Sequence, residues 1–399
     1  MERQQMLLLI GITFTHALSH AFLLAFPALF PFIRKDLILT YKDLGLISGV
    51  LITAYGLTSV PSGWLSDVIG SKRVLMTYSA ILTICSFIMI FVNSFPELLV
   101  LISVIGFAAG LYHPPGLSLI SQSFSSDNLG KMFGVHGISG NLGSTIAPSI
   151  VVLVANTAHG WRYALLPLSL FSILAIPIFL FLSSSTQKHV VLGKNSELPS
   201  FPDIQSSGEK TPDILIRPLV VILAISVLLG LIEHGMISFL TVYLVDDRDF
   251  SPTTAGYVVT GSFAIATISN IAFGLLSDFK GAVVALSIAA LSLTLLCFLI
   301  PFTPGVFVVL VLTLSIFAFT GTKTPIGILT TNISSLKKRG TVFGLQFISF
   351  FGVGGIAGFL AGVIASLYGL DTIYLVLSGF GVLVLILLLL FPKRASNPT

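Results

Sequence analysis

Twelve apolar runs of about 20 residues or more, separated by short polar breaks, make up most of this chain. An α-helix rises about 1.5 Å per residue, so such a run is long enough to cross the roughly 30 Å hydrocarbon core of a bilayer. The runs predict spans near 6–31, 43–66, 74–93, 97–123, 131–157 and 160–184, then near 217–246, 252–277, 281–301, 304–333, 338–367 and 370–391. Backbone groups have no other partners in hydrocarbon, so each span is expected to be helical. The first run follows only Met1–Gln5 and is too long for the apolar part of a cleaved signal peptide, so it is expected to persist as a helix.

Composition agrees with a membrane solvent. Hydrophobic residues make up 55% of the 399-residue chain and charged residues 9%, against about 25% charged in a soluble domain. The 36 glycines scattered through apolar runs suit close helix packing in lipid. Cys85 and Cys297 lie in separate apolar runs, so two packed thiols are expected and no disulfide framework. Lys and Arg set the orientation. With the N-terminus inside, fourteen fall on cytoplasmic segments and five (Arg34, Lys35, Lys42, Arg162 and Arg248) on outer ones, with Lys323 inside a span. Both termini are therefore expected in the cytoplasm of a multi-pass protein of the cell membrane. Topology accounts for the +4 net charge, and no nucleic-acid partner is needed.

The longest polar stretch, Ser183 to Arg217, reads as a cytoplasmic linker, which divides the chain into 1–184, 185–216 and 217–399. The two outer parts resemble each other. Gly45, Gly63, Leu65, Ser66 and Asp67 recur 211 residues later as Gly256, Gly274, Leu276, Ser277 and Asp278. Gly110, Pro114 and Gly116 recur at the same offset as Gly321, Pro325 and Gly327. At an offset of 210, Gly130, Phe133, Gly134 and Ser139 are answered by Gly340, Phe343, Gly344 and Ser349, while Gly143 meets Val353. Twelve matches at a nearly constant offset predict an internal repeat.

The segment Gly63-Trp-Leu-Ser-Asp67-Val-Ile-Gly70-Ser-Lys72-Arg73 resembles the signature loop of the major facilitator superfamily, with a partial copy at Gly274-Leu-Leu-Ser-Asp278. Val68 and Ser71 stand where that loop is usually basic. The resemblance implies twelve transmembrane helices in two pseudo-symmetric six-helix bundles, an all-α membrane protein with a binding site near mid-depth. It also implies that Asp67, helped by Lys72 and Arg73, engages a helix of the opposite half when the inner gate is shut. Gly110-Leu-Tyr-His-Pro-Pro115 and Gly134-Val-His-Gly-Ile-Ser-Gly-Asn141-Leu-Gly143-Ser-Thr-Ile-Ala-Pro148 are similar to the fosmidomycin resistance branch. The second stretch also resembles the helix-five motif of proton-coupled exporters, although Ala147 and Val151-Val152 replace glycines of that motif.

Ionisable groups inside spans are informative because each costs roughly 2.5–3.5 kcal/mol near the centre on insertion scales. They are His16 and His20, His113, His136, Glu233 and His234, and Lys323. Glu233 and Lys323 are the embedded acid and base. Glu233 is the candidate proton carrier, and Lys323 either meets an anionic solute or holds Glu233 ionised; the alternative is a static ion pair that fixes packing. His16 and His20, four residues apart, share a helix face and suit either proton transfer or a neutral contact between helices. Metal binding is disfavoured by the absence of a zinc-like ligand spacing. His136 is expected near the cytoplasmic surface, and His159 and His189 in loops. His113 precedes Pro114-Pro115, which strip backbone donors from the turn, so this helix is expected to bend or unwind beside a cavity. Gly321 and Pro325 repeat the spacing with Lys323 at the position of Tyr112, which predicts a second broken helix.

A phosphate-binding Gly-x-x-x-x-Gly-Lys-Ser/Thr loop is absent, and so are Gly-x-Ser-x-Gly and His-Glu-x-x-His. The first reading is therefore a proton-coupled secondary transporter that exports a small drug-like or anionic solute, working as a monomer in the bilayer without a cofactor. The alternatives are a symporter or facilitator importing an organic anion, then a non-transporting receptor, with a membrane enzyme last.

Overall fold

A computed structural model describes residues 3–124, 126–157, 159–181, 216–334 and 339–391. Its fifteen α-helices are α1 Arg3–Leu37, α2 Tyr41–Ile69, α3 Ser71–Ile88, α4 Phe95–Gly110, α5 His113–Ser123, α6 Ser126–Ala155, α7 Leu166–Phe181, α8 Ile216–Asp246, α9 Pro252–Ala266, α10 Ser269–Lys280, α11 Ala282–Leu299, α12 Phe307–Asn332, α13 Arg339–Phe347, α14 Ala357–Tyr368 and α15 Asp371–Leu389. Paired end to end where a span is interrupted, they make 12 helices long and apolar enough to cross a membrane. The linker 185–216 lies almost wholly outside the described residues, as do His189 and the end of the sixth span.

The apolar runs locate every span, and the polar ends obey helix chemistry. α1 is longer than its apolar run and carries Arg34 and Lys35 in its last turn, where cations oppose the negative end of the helix dipole. α2 starts with a capping box: the Thr40 hydroxyl accepts from the Asp43 N–H, and the Asp43 carboxylate accepts from the Thr40 N–H at 2.9 Å. The turn after α2 pivots on Gly70 at φ 91°, and the turn after α10 on Gly281 at φ 87°. These two sit 211 residues apart, so the repeat reaches into backbone conformation that side chains other than glycine rarely adopt.

The two halves meet at the end where α1 stops and α2 begins. Glycine lets the backbones touch there: a Cβ on Gly45 would lie 2.6 Å from the Gly358 carbonyl oxygen, and one on Gly362 would lie 2.5 Å from that of Tyr41. Polar contacts cross the same seam. Arg34 and Tyr41 both engage Asp246, Thr241 donates to the Pro27 carbonyl, Ser48 meets Ser238 at 2.5 Å, and the Ser149 hydroxyl reaches Thr260 at 2.7 Å. Toward the other end the helices part. Gly134, Gly137, Gly340 and Gly344 face open space, and Asp67 and Asp278 of the signature segments are exposed. Among the described residues the molecule is thus sealed at one end and open at the end where α1 begins.

Three of the spans are interrupted beside the space between the halves, the eighth at Thr267–Ile268 between α9 and α10. The fourth breaks at Leu111–Tyr112, between α4 and α5, as Pro114-Pro115 require. The matching break in the second half does not occur. α12 runs unbroken through Pro325, since a single proline removes one donor where the pair removes two in succession. The eleventh span is instead interrupted by a π-helical turn over Ile348–Val353 and a 3₁₀ turn over Gly354–Ile356, beside the seam.

The seam gives a direct test. The Lys42 N–H donates to the Ser366 hydroxyl at 3.0 Å, so a Lys42→Cys/Ser366→Cys pair is expected to cross-link readily, Cys85 and Cys297 being buried. Gly45→Val inserts side-chain volume between two backbones, an overpacking that costs about 1–3 kcal/mol. It is expected to lower the cross-linking yield, and an unchanged yield would show that this crossing does not hold the end shut.

Candidate functional site

Between the halves, two adjoining spaces of about 70 and 320 Å³ share His20, Asn141, Lys323 and Phe351 in their walls. The smaller lies toward the sealed end, against Pro27, Ser48, Glu233 and Ser238. The larger lies toward the open end, against His113, Phe343, Gln346 and Phe347. Together they form one vestibule with a polar floor and an aromatic side.

The second half supplies the charges. Lys323 Nζ stands 3.2 Å from Glu233 Oε1 and 4.9 Å from the centre of the Phe319 ring. The Lys323 side chain is 45% exposed and that of Glu233 is 10% exposed, so the ammonium faces the vestibule and the carboxylate stands behind it. Both groups come from helices of one half, α8 and α12, so the pair does not bridge the two halves. Glu233 Oε2 and His234 Nε2 are buried without a hydrogen-bond partner, and both residues border the smaller space.

The first half supplies imidazoles. His16 Nδ1 lies 2.7 Å from the His136 carbonyl oxygen and 3.2 Å from Ser139 Oγ. A carbonyl only accepts, so Nδ1 carries the hydrogen and Nε2 of neutral His16 keeps its lone pair. His20 Nε2 lies 3.2 Å from His16 Nε2 and donates to it. The His136 ring stacks on His16 with centroids 3.7 Å apart, and its Nε2 meets the Tyr112 hydroxyl at 3.1 Å. That hydroxyl donates to the Ile12 carbonyl at 2.7 Å, so His136 must donate to it. Room for these rings depends on Gly140, where a Cβ would fall 2.6 Å from His16 Cε1 and 3.0 Å from His20 Cδ2.

The geometry sorts the residues singled out in the sequence. Glu233 and Lys323 are paired, and His20, His113 and His234 line the vestibule with them. His16 is buried behind His20, inside the first half. Tyr112 is fully buried and ties α1 to the fourth span, so it does not answer Lys323 as a second cavity-lining group. His136 is not interfacial, as its place in the sequence suggested. α6 begins at Ser126, which carries His136 deeper, and the residue is 6% exposed. In the helix-five stretch, Asn141 lines both spaces and Gly143 packs against the Ala17 backbone. Gly134 faces open space, and Pro148 lies within the unbroken α6. The sequence signal for Gly140 was its spacing from Gly143, two small residues that let α1 approach. Gly63 and Gly274 sit against Pro114 and Thr324. Gly63, Asp67, Gly70, Lys72, Arg73, Gly274 and Asp278 all cluster around the turns at the open end, away from the vestibule floor.

A family model described as Major Facilitator Superfamily matches residues 9–359 and 222–399. Over 143 residues the chain is 29% identical to a protein of Cupriavidus necator described as "Probable sulfoacetate transporter SauU", covering 36% of this chain and 33% of that one. It is 23% identical over 253 residues to the hexuronate transporter of Bacillus subtilis, covering 62% and 58%. It is 24% identical over 250 residues to the quinolone resistance protein NorA of Staphylococcus aureus, covering 63% and 61%. The matches thus span from a third to about three fifths of the length of these relatives. The fold resembles that of a D-xylose-proton symporter with a TM-score of 0.78, at 12% identity and 99% coverage of both chains.

Tyr112→Phe tests the structural assignment of that residue. It leaves the Ile12 carbonyl and the His136 N–H without their partner, which costs about 1–3 kcal/mol in a buried site. The expected result is a lower Tm in detergent with solute half-saturation unchanged. A raised half-saturation at unchanged Tm would return Tyr112 to the binding surface.

Proposed function

Because the chain belongs to the Major Facilitator Superfamily, we propose that it carries a small organic anion across the membrane together with a proton, by alternating access. In this reading residues 1–184 and 217–399 rock against each other about the vestibule, joined by the linker 185–216. The excess of Lys and Arg on one side puts the open end in the cytoplasm.

The observation that carries the reading is the Lys323–Glu233 pair at the vestibule wall. An anion entering from the open end meets the exposed ammonium first and competes for it. Glu233 then loses its counter-charge in a place that water reaches poorly. An isolated carboxylate is costly there, so it takes a proton and becomes neutral. Anion and proton therefore bind together, and the loaded site has the same net charge as the empty one. Co-binding moves both in the same direction. On this ground the importing alternative outranks export, for which solute and proton would have to exclude each other. Asn141, which lines both spaces, offers the bound anion a neutral amide donor. The relatives described as sulfoacetate and hexuronate transporters handle solutes of this charge class, as their names state.

One observation favours a second reading, export of an apolar drug-like solute. Phe343, Phe347, Phe350 and Phe351 form one side of the larger space, and a quinolone resistance protein is among the relatives.

Proteoliposomes loaded by an imposed pH gradient separate these readings. Wild-type protein is expected to accumulate a labelled anion (sulfoacetate or a hexuronate) when the outside is acid. Glu233→Gln is expected to lose that accumulation and keep downhill exchange, because a neutral side chain at 233 no longer follows the proton. It also leaves Lys323 without a competitor, so the half-saturation for exchange should fall. Lys323→Gln is expected to raise half-saturation by roughly tenfold or more, the equivalent of about 1.4 kcal/mol. Acid-driven accumulation by Glu233→Gln at the wild-type level would refute the proton role.

A further inference from the structure

The imidazoles of the first half have no part in the exchange between anion, Lys323 and Glu233, and their arrangement points elsewhere. Ring nitrogens of His16, His20 and His113, one from each, all lie within 4.8 Å of one another. The three come from α1 and from the start of α5, just after the break in the fourth span. We propose that His16, His20 and His113 bind one divalent cation of the zinc class in the wall of the vestibule.

Three features of the geometry support this. First, two nitrogens bound to one tetrahedral zinc ion, each at about 2.0–2.1 Å, lie roughly 3.3 Å apart. His16 Nε2 and His20 Nε2 already stand 3.2 Å apart, so two corners of the tetrahedron are in place. A ring nitrogen of His113 lies within 4.8 Å of the other two ligand atoms. Second, the rings meet edge-on, at interplanar angles of 79°, 87° and 89°. Lone pairs lie in the ring planes, so edge-on rings can direct them to a common point, which stacked rings cannot. Third, the far side of the site is prepared. A metal-binding imidazole usually donates its other N–H to a carbonyl or carboxylate, which fixes the ring and its tautomer. His16 does this through Nδ1 to the His136 carbonyl. His113 Nε2 is buried with no hydrogen-bond partner, and a cation would supply one.

The neighbouring residues define the ligand set. His136 is excluded, because its ring stacks flat on His16 and its Nε2 is committed to Tyr112. His20 and His113 border the larger space, so an ion enters from the open end and keeps a fourth coordination position toward the vestibule. Imidazole donors suit zinc, copper and nickel better than magnesium or calcium. Lys323 opposes a cation here, but its charge is offset by Glu233 at 3.2 Å. An anion bound in the shared vestibule would compensate further.

The test uses full-length protein in detergent, purified without a polyhistidine tag, with Co²⁺ as a visible probe and Zn²⁺ as competitor. One Co²⁺ per chain is expected, with the intense visible absorption of a four- or five-coordinate ion that Zn²⁺ removes. His20→Ala and His113→Ala should each weaken binding by at least about 10–100-fold, and Ser139→Ala, which loosens the carbonyl contact behind His16, by roughly tenfold. His159→Ala, at an exposed loop position, should leave binding unchanged. Should His113→Ala fail to fold, His113→Gln keeps the volume and serves in its place. Absence of saturable binding to the wild type would overturn the proposal without any variant. Binding that survives in the His20 and His113 variants, or is lost in His159→Ala, would overturn it as well. No transport is measured, so either outcome leaves the anion-and-proton reading to be judged on its own experiment.

Discussion

A charge that leaves water for hydrocarbon must meet its opposite or a wet cavity, and this molecule has one embedded carboxylate and one embedded ammonium to place among its described residues. The pairing of Glu233 with Lys323 meets that constraint, and it shapes what surrounds it. Both charges sit on the second half, so the vestibule has a charged wall opposite a neutral wall of imidazoles and Asn141. A solute that takes over Lys323 leaves Glu233 with two alternatives, an uncompensated charge or a proton. In the proposed mechanism, coupling arises from the cost of burying charge. It requires no rearrangement larger than the shift of one long lysine side chain.

The rest of the fold holds this pair at the end of a passage that one side can reach. The opposite end is closed by many small terms. Glycine crossings bring α2 against α14, and hydroxyl contacts join α8 to α1 and α2. Arg34 and Asp246 are 35% and 20% exposed, so their ion pair contributes about 0–1 kcal/mol and cannot act as a lock. A seam built this way is stable as a whole, yet it is held by no single interaction whose loss would be prohibitive. The proposed alternating-access cycle, which opens the same seam at every turn, needs that property. The interrupted eleventh span lies against the seam, with Gly352, Gly354 and Gly355 in its irregular turns.

Much of this was legible in the sequence, because lipid makes strong demands. Continuous apolar length located the twelve spans, and the insertion cost of charge singled out Glu233 and Lys323 without reference to their contact. The repeat at 211 residues anticipated equivalent turns, although the matched pair Gly70 and Gly281 emerged from backbone conformation. What stayed hidden was three-dimensional. The spacing of Gly321 and Pro325 suggested a second broken helix, but a lone proline was absorbed by α12. His136 seemed close to the surface because apolar runs do not mark where α6 begins. The grouping of His113 with His16 and His20 joins residues nearly a hundred positions apart, which no ligand spacing along one helix could reveal. Tyr112 matched Lys323 in register and not in role, since one hydroxyl found a backbone carbonyl while the other position kept its charge at the cavity.

The central claim is that an anion and a proton bind together because they exchange partners at Lys323 and Glu233. It is tested most directly by counting protons in the binding step itself. Calorimetric titration of the purified protein with sulfoacetate or a hexuronate, repeated in buffers of different ionisation enthalpy, gives the number of protons taken up per anion bound. The account predicts about one for the wild type above the pH at which Glu233 is already protonated, and about none for Glu233→Gln. An anion that binds the wild type without proton uptake, or with the same uptake in Glu233→Gln, would contradict it.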